Sequence, residues 1–379
     1  MSNIQLKLSI SEVLDKLTIL DIKHEKIKDE EKIKEIIKER DDLRKKVEYY
    51  FGDCSYLYSC LYFINKKIWE ELDIIQEDKN NLNIYKSMWA KNEQRFNIKK
   101  IIDVKYNSIY KEQKNLKPKK AFICHHLGLG DMFEMSGAVR YLAFYYDEIT
   151  LVCKKQYKKN VELMYKDIEN IVFYDIENSE DLFFRKNKNL HSRFKAKYDN
   201  IYLAGLHGKS NFNGNSVPYD KEFYDDFGLD YEVKKVFSNT YRDEVEENKL
   251  FEEFSIKLKE KNIKEYIFYH GDSSTKNINK LQVFKNNKDI LVFTPNYNFY
   301  DISHPFYDIW DKKYSNLLVP QYSIFMENSS QIHMVDSSFF SLAAMLDLRH
   351  INKKIVYLRD DKSSYINFTK FNDWEIEIS

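Results

Sequence analysis

Apolar residues in the first third of the chain recur every three or four positions, the repeat of one helix face. Val13, Leu17, Leu20, His24 and Ile27 form such a stripe, opened by Ser9 with Glu12 three residues on, the spacing of a capping box. The charged run KDEE interrupts it, and Ile33, Ile36, Leu43 and Val47 resume it, as a second helix folded back on the first would. Further helices are predicted over YSCLYFINKKIWEELDIIQED and MWAKNEQRFNIKKIIDVKYNSIYKEQ, and the polar NLKPKK reads as a linker. His24 lies on the stripe and reads as an interface histidine without chemistry.

Beyond Lys120 the rhythm changes. AFICHH, ITLVC, IVFYDI and NIYLAG are strand-like, and a helix carrying Met132, Met135, Val139, Leu142 and Tyr146 is predicted between the first two. The charged helix RDEVEENKLFEEFSIKLKEKN separates these from a second set, EYIFYHGD, DILVFTP, QIHMVD and KIVYLR. Alternating strands and helices imply parallel sheets. The expected division is an all-helical domain at 1–117, a Rossmann-like half at 118–240 and a second at 241–379. Ligands are then expected outside the carboxyl ends of the strands.

Composition narrows the classes. The chain has 379 residues, enough for two or three domains, and its 43% hydrophobic content excludes a disordered chain. Lys plus Arg equals Asp plus Glu, 60 against 60, so no net field recruits nucleic acid. The N-terminus lacks the pattern of a signal peptide, and no apolar run approaches the ~20 residues of a membrane span. A cytoplasmic protein, at most peripheral to a membrane, is expected. Cys54, Cys60, Cys124 and Cys153 form no CxxC pair and read as buried, reduced thiols.

Four segments carry candidate chemistry. In HHLGLGDMFEMSGAVRYL, Gly128 and Gly130 allow a tight turn between a strand and a helix, with Asp131 at its mouth and His125 and His126 before it. Phe133 stands where a dinucleotide fingerprint needs its third glycine, and Cys153, Lys154 and Lys155 stand where a ribose-binding acid is required, which disfavours NAD. In ENSSQIHMVDSSFFSLAAML, Asp336, Ser337 and Ser338 fall at a sharp turn from a buried strand into a helix, whose serine-capped start would suit a diphosphate, with Glu327 one helix earlier. FYHGDSSTKNI sets His270, Asp272, Ser273, Ser274 and Lys276 at another strand end, and GLHGKSNFNGNSVPYD offers His207 and Lys209 on a long loop. No DxD sequence stands where a metal-held diphosphate would require it.

Two Rossmann-like halves joined by a helix describe the GT-B architecture, and the GD step at Gly130–Asp131 together with DSS at 336–338 resembles the heptosyltransferase-like branch of GT-B glycosyltransferases over about residues 118–379. That resemblance implies Asp131 alone as the base that deprotonates the acceptor; His125 and His126, beside it in the loop, are rival bases by their own chemistry. Gly128, Gly130, His207 and Lys209 would face the acceptor. Asp336, Ser337 and Ser338 would meet the donor phosphates, Glu327 a ribose hydroxyl, and His270, Asp272, Ser273 and Lys276 the rest of the donor. It implies inverting transfer from a nucleotide-sugar, used as substrate with no cofactor and no metal; it carries over neither sugar nor acceptor, and a glycan or lipid-linked precursor is the expected acceptor class. SISEVLDKLTILDIKHEKI, FINKKIWEELDIIQED and NEQRFNIKKIID resemble a helical family of unknown function found beside polysaccharide glycosyltransferases, which implies a role in homo-oligomer or partner-enzyme contact. The alternatives are a non-catalytic nucleotide- or glycan-binding scaffold and a nucleotide-sugar epimerase.

Overall fold

The computed structural model describes residues 7–110, 112–114, 117–180, 183–184, 189–205, 219–272, 289–295, 299–309, 312–358 and 373–378. It divides into two compact units: Met1–Lys120 with Arg140–Glu148 and Lys235–Phe237, and the remainder.

The first unit is built on three helices, α1 (Ile10–Lys26), α2 (Glu30–Glu77) and α3 (Leu82–Lys105), each packed on the other two. Ser9 caps α1 by accepting from the Glu12 amide, but the Glu12 carboxylate pairs with Lys99 instead of returning to the cap. Asp29, inside the charged break, caps α2 by accepting from the Glu31 and Lys32 amides. The two helices expected beyond that break are a single helix of 48 residues. Nothing in that stretch stops it: it contains no proline, and a Cβ at Gly52 would meet nothing within 4 Å.

Of the α1 stripe, Leu17 and Leu20 are buried and Val13 and His24 half-buried, while Leu14, Thr18 and Ile22 are buried as well, because α1 is covered on two sides. The centre of this unit is polar. Asp15 of α1 accepts from Asn65 of α2 at 2.9 Å and from Arg95 Nε of α3 at 2.8 Å, so one buried carboxylate fixes the register of all three helices. Phe237 belongs to this unit, edge-on to Phe63, Tyr141 and Phe144, and its carbonyl accepts from Tyr56. Gln94 and Asn97 donate to the carbonyls of Tyr141 and Phe144.

The second unit holds two sheets. The first has the order β3-β2-β1-β4, from β1 (Lys120–Cys124), β2 (Glu148–Lys154), β3 (Ile171–Ile176) and β4 (Asn200–Leu203), with β1 parallel to β4 and β2 parallel to β3. The second is parallel throughout in the order β6-β5-β7-β8-β9, from β5 (Tyr266–His270), β6 (Leu291–Phe293), β7 (Gln331–Val335), β8 (Lys353–Leu358) and β9 (Glu375–Ile378). The chain is thus α/β, with two parallel, Rossmann-like sheets that follow a helical N-terminal region in sequence. Strand order reverses between β1 and β4 and again between β5 and β7, and such switch points are where open α/β sheets hold ligands.

All eight strands expected from sequence are present, and β9 is additional. The single helix expected after β1 is two, α4 (Leu129–Glu134) and α5 (Ser136–Ala143), joined at Met135. Its five apolar positions are all buried nonetheless. The four cysteines are free and buried, and burial pushes the Cys60 and Cys153 thiols up to about 12. No helix among the described residues is long and apolar enough to cross a membrane.

Candidate functional site

At the first switch point, β1 gives way to His125, His126 and Leu127, and Gly128 starts α4 in an extended backbone conformation, φ −73° and ψ 150°. Asp131, in the first turn, folds its carboxylate back over this start. Its Oδ2 accepts from the Gly128 amide at 3.2 Å and lies 3.0 Å from His126 Nδ1. A Cβ at Gly128 would sit 2.5 Å from that oxygen. Glycine is therefore required here by the closeness of a carboxylate and not by a left-handed φ.

His126 and His125 part company. The His126 ring lies over Phe223, with centroids 6.1 Å apart and planes 24° apart, and its side chain keeps 32% of its surface accessible. Phe223 in turn packs against Gly205, just beyond β4, where a Cβ would meet the ring at 2.1 Å and φ is +63°. The His126 ring thus stands between the carboxyl ends of β1 and β4. His125 is fully buried, donates from Nδ1 to the His126 carbonyl at 2.7 Å, and has no partner at Nε2 among the described residues. Burial pulls its pKa down to about 4, so it is neutral at pH 7 and has no exposed edge for a substrate.

Behind this loop lies a buried ion cluster. Lys234 pairs with both Glu134, the last residue of α4, and Asp220, and Tyr231 donates to Asp220 at 2.8 Å. Tyr224 donates to the Glu134 carbonyl at 3.2 Å. Gly137 gives these groups room, since a Cβ there would lie 2.7 Å from the Tyr224 hydroxyl and 3.1 Å from Lys234 Cα.

At the second switch point, β5 ends on His270 and β7 runs into Asp336, Ser337 and Ser338. These three are half-buried and open the helix Ser338–Ala343. Ser337 occupies the cap position, but its side chain makes no capping bond; its Oγ lies 3.1 Å from Nδ1 of His270 across the gap between the strands. The expected serine cap is therefore a strand-to-strand contact. His270 stacks on Phe339 at 4.1 Å, and burial pulls its pKa down to about 3, which keeps the imidazole neutral. Asp272 lies two residues past β5, at the same edge.

The two loops meet. A Cβ at Gly130 would stand 3.6 Å from the Ser338 amide nitrogen and 3.7 Å from Ser341 Oγ, ordinary contact distances that set α4 directly against the helix Ser338–Ala343. Ser136 Oγ and Met345 Sδ, 3.8 Å apart, extend this contact. Gly128, Gly130, Asp131, His126, Ser337, Ser338 and His270 are thus gathered along one seam.

Glu327 is elsewhere. It ends the helix Ser323–Glu327, before β7 and so at the amino edge of the sheet, and both of its oxygens are taken by the Arg242 guanidinium at 3.0 and 2.9 Å. Arg242 also holds the buried Glu247. A carboxylate engaged in such a fork is a tether between segments, and its expected contact with a ribose gains no support. Ser273, Ser274, Lys276, His207 and Lys209 lie outside the described residues. Among those described, no cluster of three or more His, Cys, Asp or Glu has the arrangement of a metal site. Sequence reasoning missed the aromatic floors Phe223 and Phe339, and Ser341.

No protein-family model matches the chain, and no curated protein does. Among solved structures it is similar to a family 9 glycosyl transferase from Veillonella parvula, at 10% identity and a TM-score of 0.43, over 70% of this chain and 89% of that one. It is also similar to the ADP-heptose LPS heptosyltransferase II of E. coli, at 12% identity and a TM-score of 0.34, over 69% of this chain and 90% of that one.

Proposed function

We propose that the chain is a glycosyltransferase of GT-B build, which moves a sugar from a nucleotide-activated donor to a hydroxyl of a glycan or lipid-linked acceptor, with inversion and without a metal. The observation that carries this reading is the seam itself. The glycine loop after β1 and the Asp336–Ser338 loop after β7 each lie at the carboxyl edge of a parallel sheet, at a switch point, and Gly130 brings one against Ser338 of the other.

Each loop has a chemical part in that reading. The 118–240 half receives the acceptor, and the Asp131–His126 pair removes the proton from its hydroxyl. The acceptor oxygen bonds to the anomeric carbon as the bond from that carbon to the diphosphate breaks, and the electron pair leaves with the nucleotide. The 241–379 half receives the donor. The hydroxyls of Ser337 and Ser338 and the first-turn amides that they flank donate to the diphosphate as its charge develops. In this proposal the protein works in the cytoplasm or at a membrane surface, has no nucleic-acid partner, and uses its helical region to contact a second copy or a partner enzyme.

A thermal-shift screen of the purified protein against UDP-, GDP-, ADP-, CMP- and dTDP-sugars, with NAD as a control, tests the reading, because a ligand that binds only the folded state raises its apparent stability. Stabilisation by one nucleotide family supports a transferase and names the donor. Stabilisation by none favours the non-catalytic scaffold, and sugar isomerisation without an acceptor would identify an epimerase.

A further inference from the structure

The roles within the Asp131–His126 pair are not interchangeable, and the geometry points to His126 as the proton acceptor and to Asp131 as the residue that orients it. This rests on the transferase reading above. An ionised carboxylate can only accept, so the 3.0 Å contact between His126 Nδ1 and Asp131 Oδ2 places the imidazole hydrogen on Nδ1. The ring's lone pair is then on Nε2, the opposite edge.

Asp131 is committed inward. The oxygen that holds His126 also closes the start of α4 by accepting from the Gly128 amide, and the side chain retains 18% exposure against 32% for His126. His126 is held in plane by Phe223 and stands between the carboxyl ends of β1 and β4, the place where a ligand of this sheet is expected. His125 cannot substitute for it, being fully buried and bonded through Nδ1 to the carbonyl of His126.

The step balances. Nε2 takes the proton of the attacking hydroxyl while the oxygen bonds to the anomeric carbon and the nucleoside diphosphate departs with its electron pair. The imidazolium so formed faces the Asp131 carboxylate and afterwards returns its proton to solvent. A positioned base of this kind contributes about 10² to 10⁴ in rate.

The test measures release of nucleoside diphosphate from UDP-glucose, GDP-mannose, ADP-glucose and dTDP-glucose with water as acceptor, which requires no knowledge of the natural acceptor. His126→Gln keeps an amide donor for Asp131 but supplies no base; it should lose at least about a hundredfold in turnover while the nucleotide still stabilises the protein thermally. His126→Gly should regain turnover with added imidazole. The assignment is overturned if His126→Gln turns over within a few-fold of the parent, since His126 would then merely hold Asp131. Rescue of Asp131→Gly by formate, with no effect of imidazole on His126→Gly, overturns it equally. An unaltered chain that releases nucleotide from none of the four donors and is stabilised thermally by none of the nucleotide-sugars removes the transferase reading itself, and the base with it.

Discussion

Nδ1 of His270 and the Ser337 hydroxyl lie 3.1 Å apart, joining the ends of β5 and β7 where the second sheet reverses its strand order. The serine rotamer is thereby fixed by a ring that is itself clamped on Phe339. His270→Phe keeps the stacking and removes the bond, and should weaken binding of the selected nucleoside diphosphate several-fold. Ser337→Ala removes a donor to a charged group, for which about 1.5 to 3 kcal/mol, roughly tenfold or more in Kd, is expected. Calorimetric titration of both variants checks this, and unchanged affinity in Ser337→Ala would place the diphosphate elsewhere.

Two of the buried histidines make stability depend on pH. His125 and His270 have folded-state pKa values lowered to about 4 and about 3 by burial, against about 6.5 in an unfolded chain. As pH falls below about 6.5 the unfolded chain binds protons that the folded one refuses, so stability drops, and it is retained in full above that range. The slope approaches about 1.4 kcal/mol per pH unit for each site. Urea unfolding between about pH 7 and about pH 5 should show this decline, and the double variant His125→Asn, His270→Phe should flatten it.

Lys234 neutralises two carboxylates at once, Asp220 at 1% and Glu134 at 11% side-chain exposure. Lys234→Met removes the cation that both buried carboxylates share, and a loss of about 3 to 5 kcal/mol is expected on chemical unfolding. Adding Glu134→Gln and Asp220→Asn to the same chain should restore most of it, because the cost lies in the stranded charge. A Lys234→Met chain as stable as its parent would show that the cluster is solvated.

The strands were legible because each is a short apolar run bounded by polar turns: β5, YIFYH, is buried at every position. β9 escaped because EIEI alternates over only four residues at the chain end. Its partner β8 gives it a place that no local pattern announces. The loops were legible as glycine and serine steps at strand ends. Their partnerships were not, since His126 and Asp131 are five residues apart while His270 and Ser337 are 67 apart. Glu327 illustrates the converse. Its sequence position beside β7 suggested a ligand contact, but the direction of the strand puts it at the amino edge, where Arg242 from 85 residues earlier engages both oxygens.

The two glycines of the first loop, two residues apart, should answer the same substitution in opposite ways. At Gly128 a Cβ meets Asp131 Oδ2 at 2.5 Å, so Gly128→Ala must displace the carboxylate from the amide and from His126 together. Loss of that closing bond costs about 0.5 to 2 kcal/mol, and turnover should fall by tenfold or more because the imidazole loses its orienting partner. At Gly130 the added methyl finds only ordinary contacts, 3.6 Å from the Ser338 nitrogen and 3.7 Å from Ser341 Oγ, and the residue lies inside α4. Gly130→Ala should therefore stabilise, by up to about 1 kcal/mol from helix propensity, and retain turnover. Gly130→Leu has no room against the Ser338 segment and should part the two loops, abolishing turnover. Turnover and urea unfolding of the three variants decide the matter: a Gly130→Leu chain with undiminished turnover would mean that the reaction does not take place at this seam.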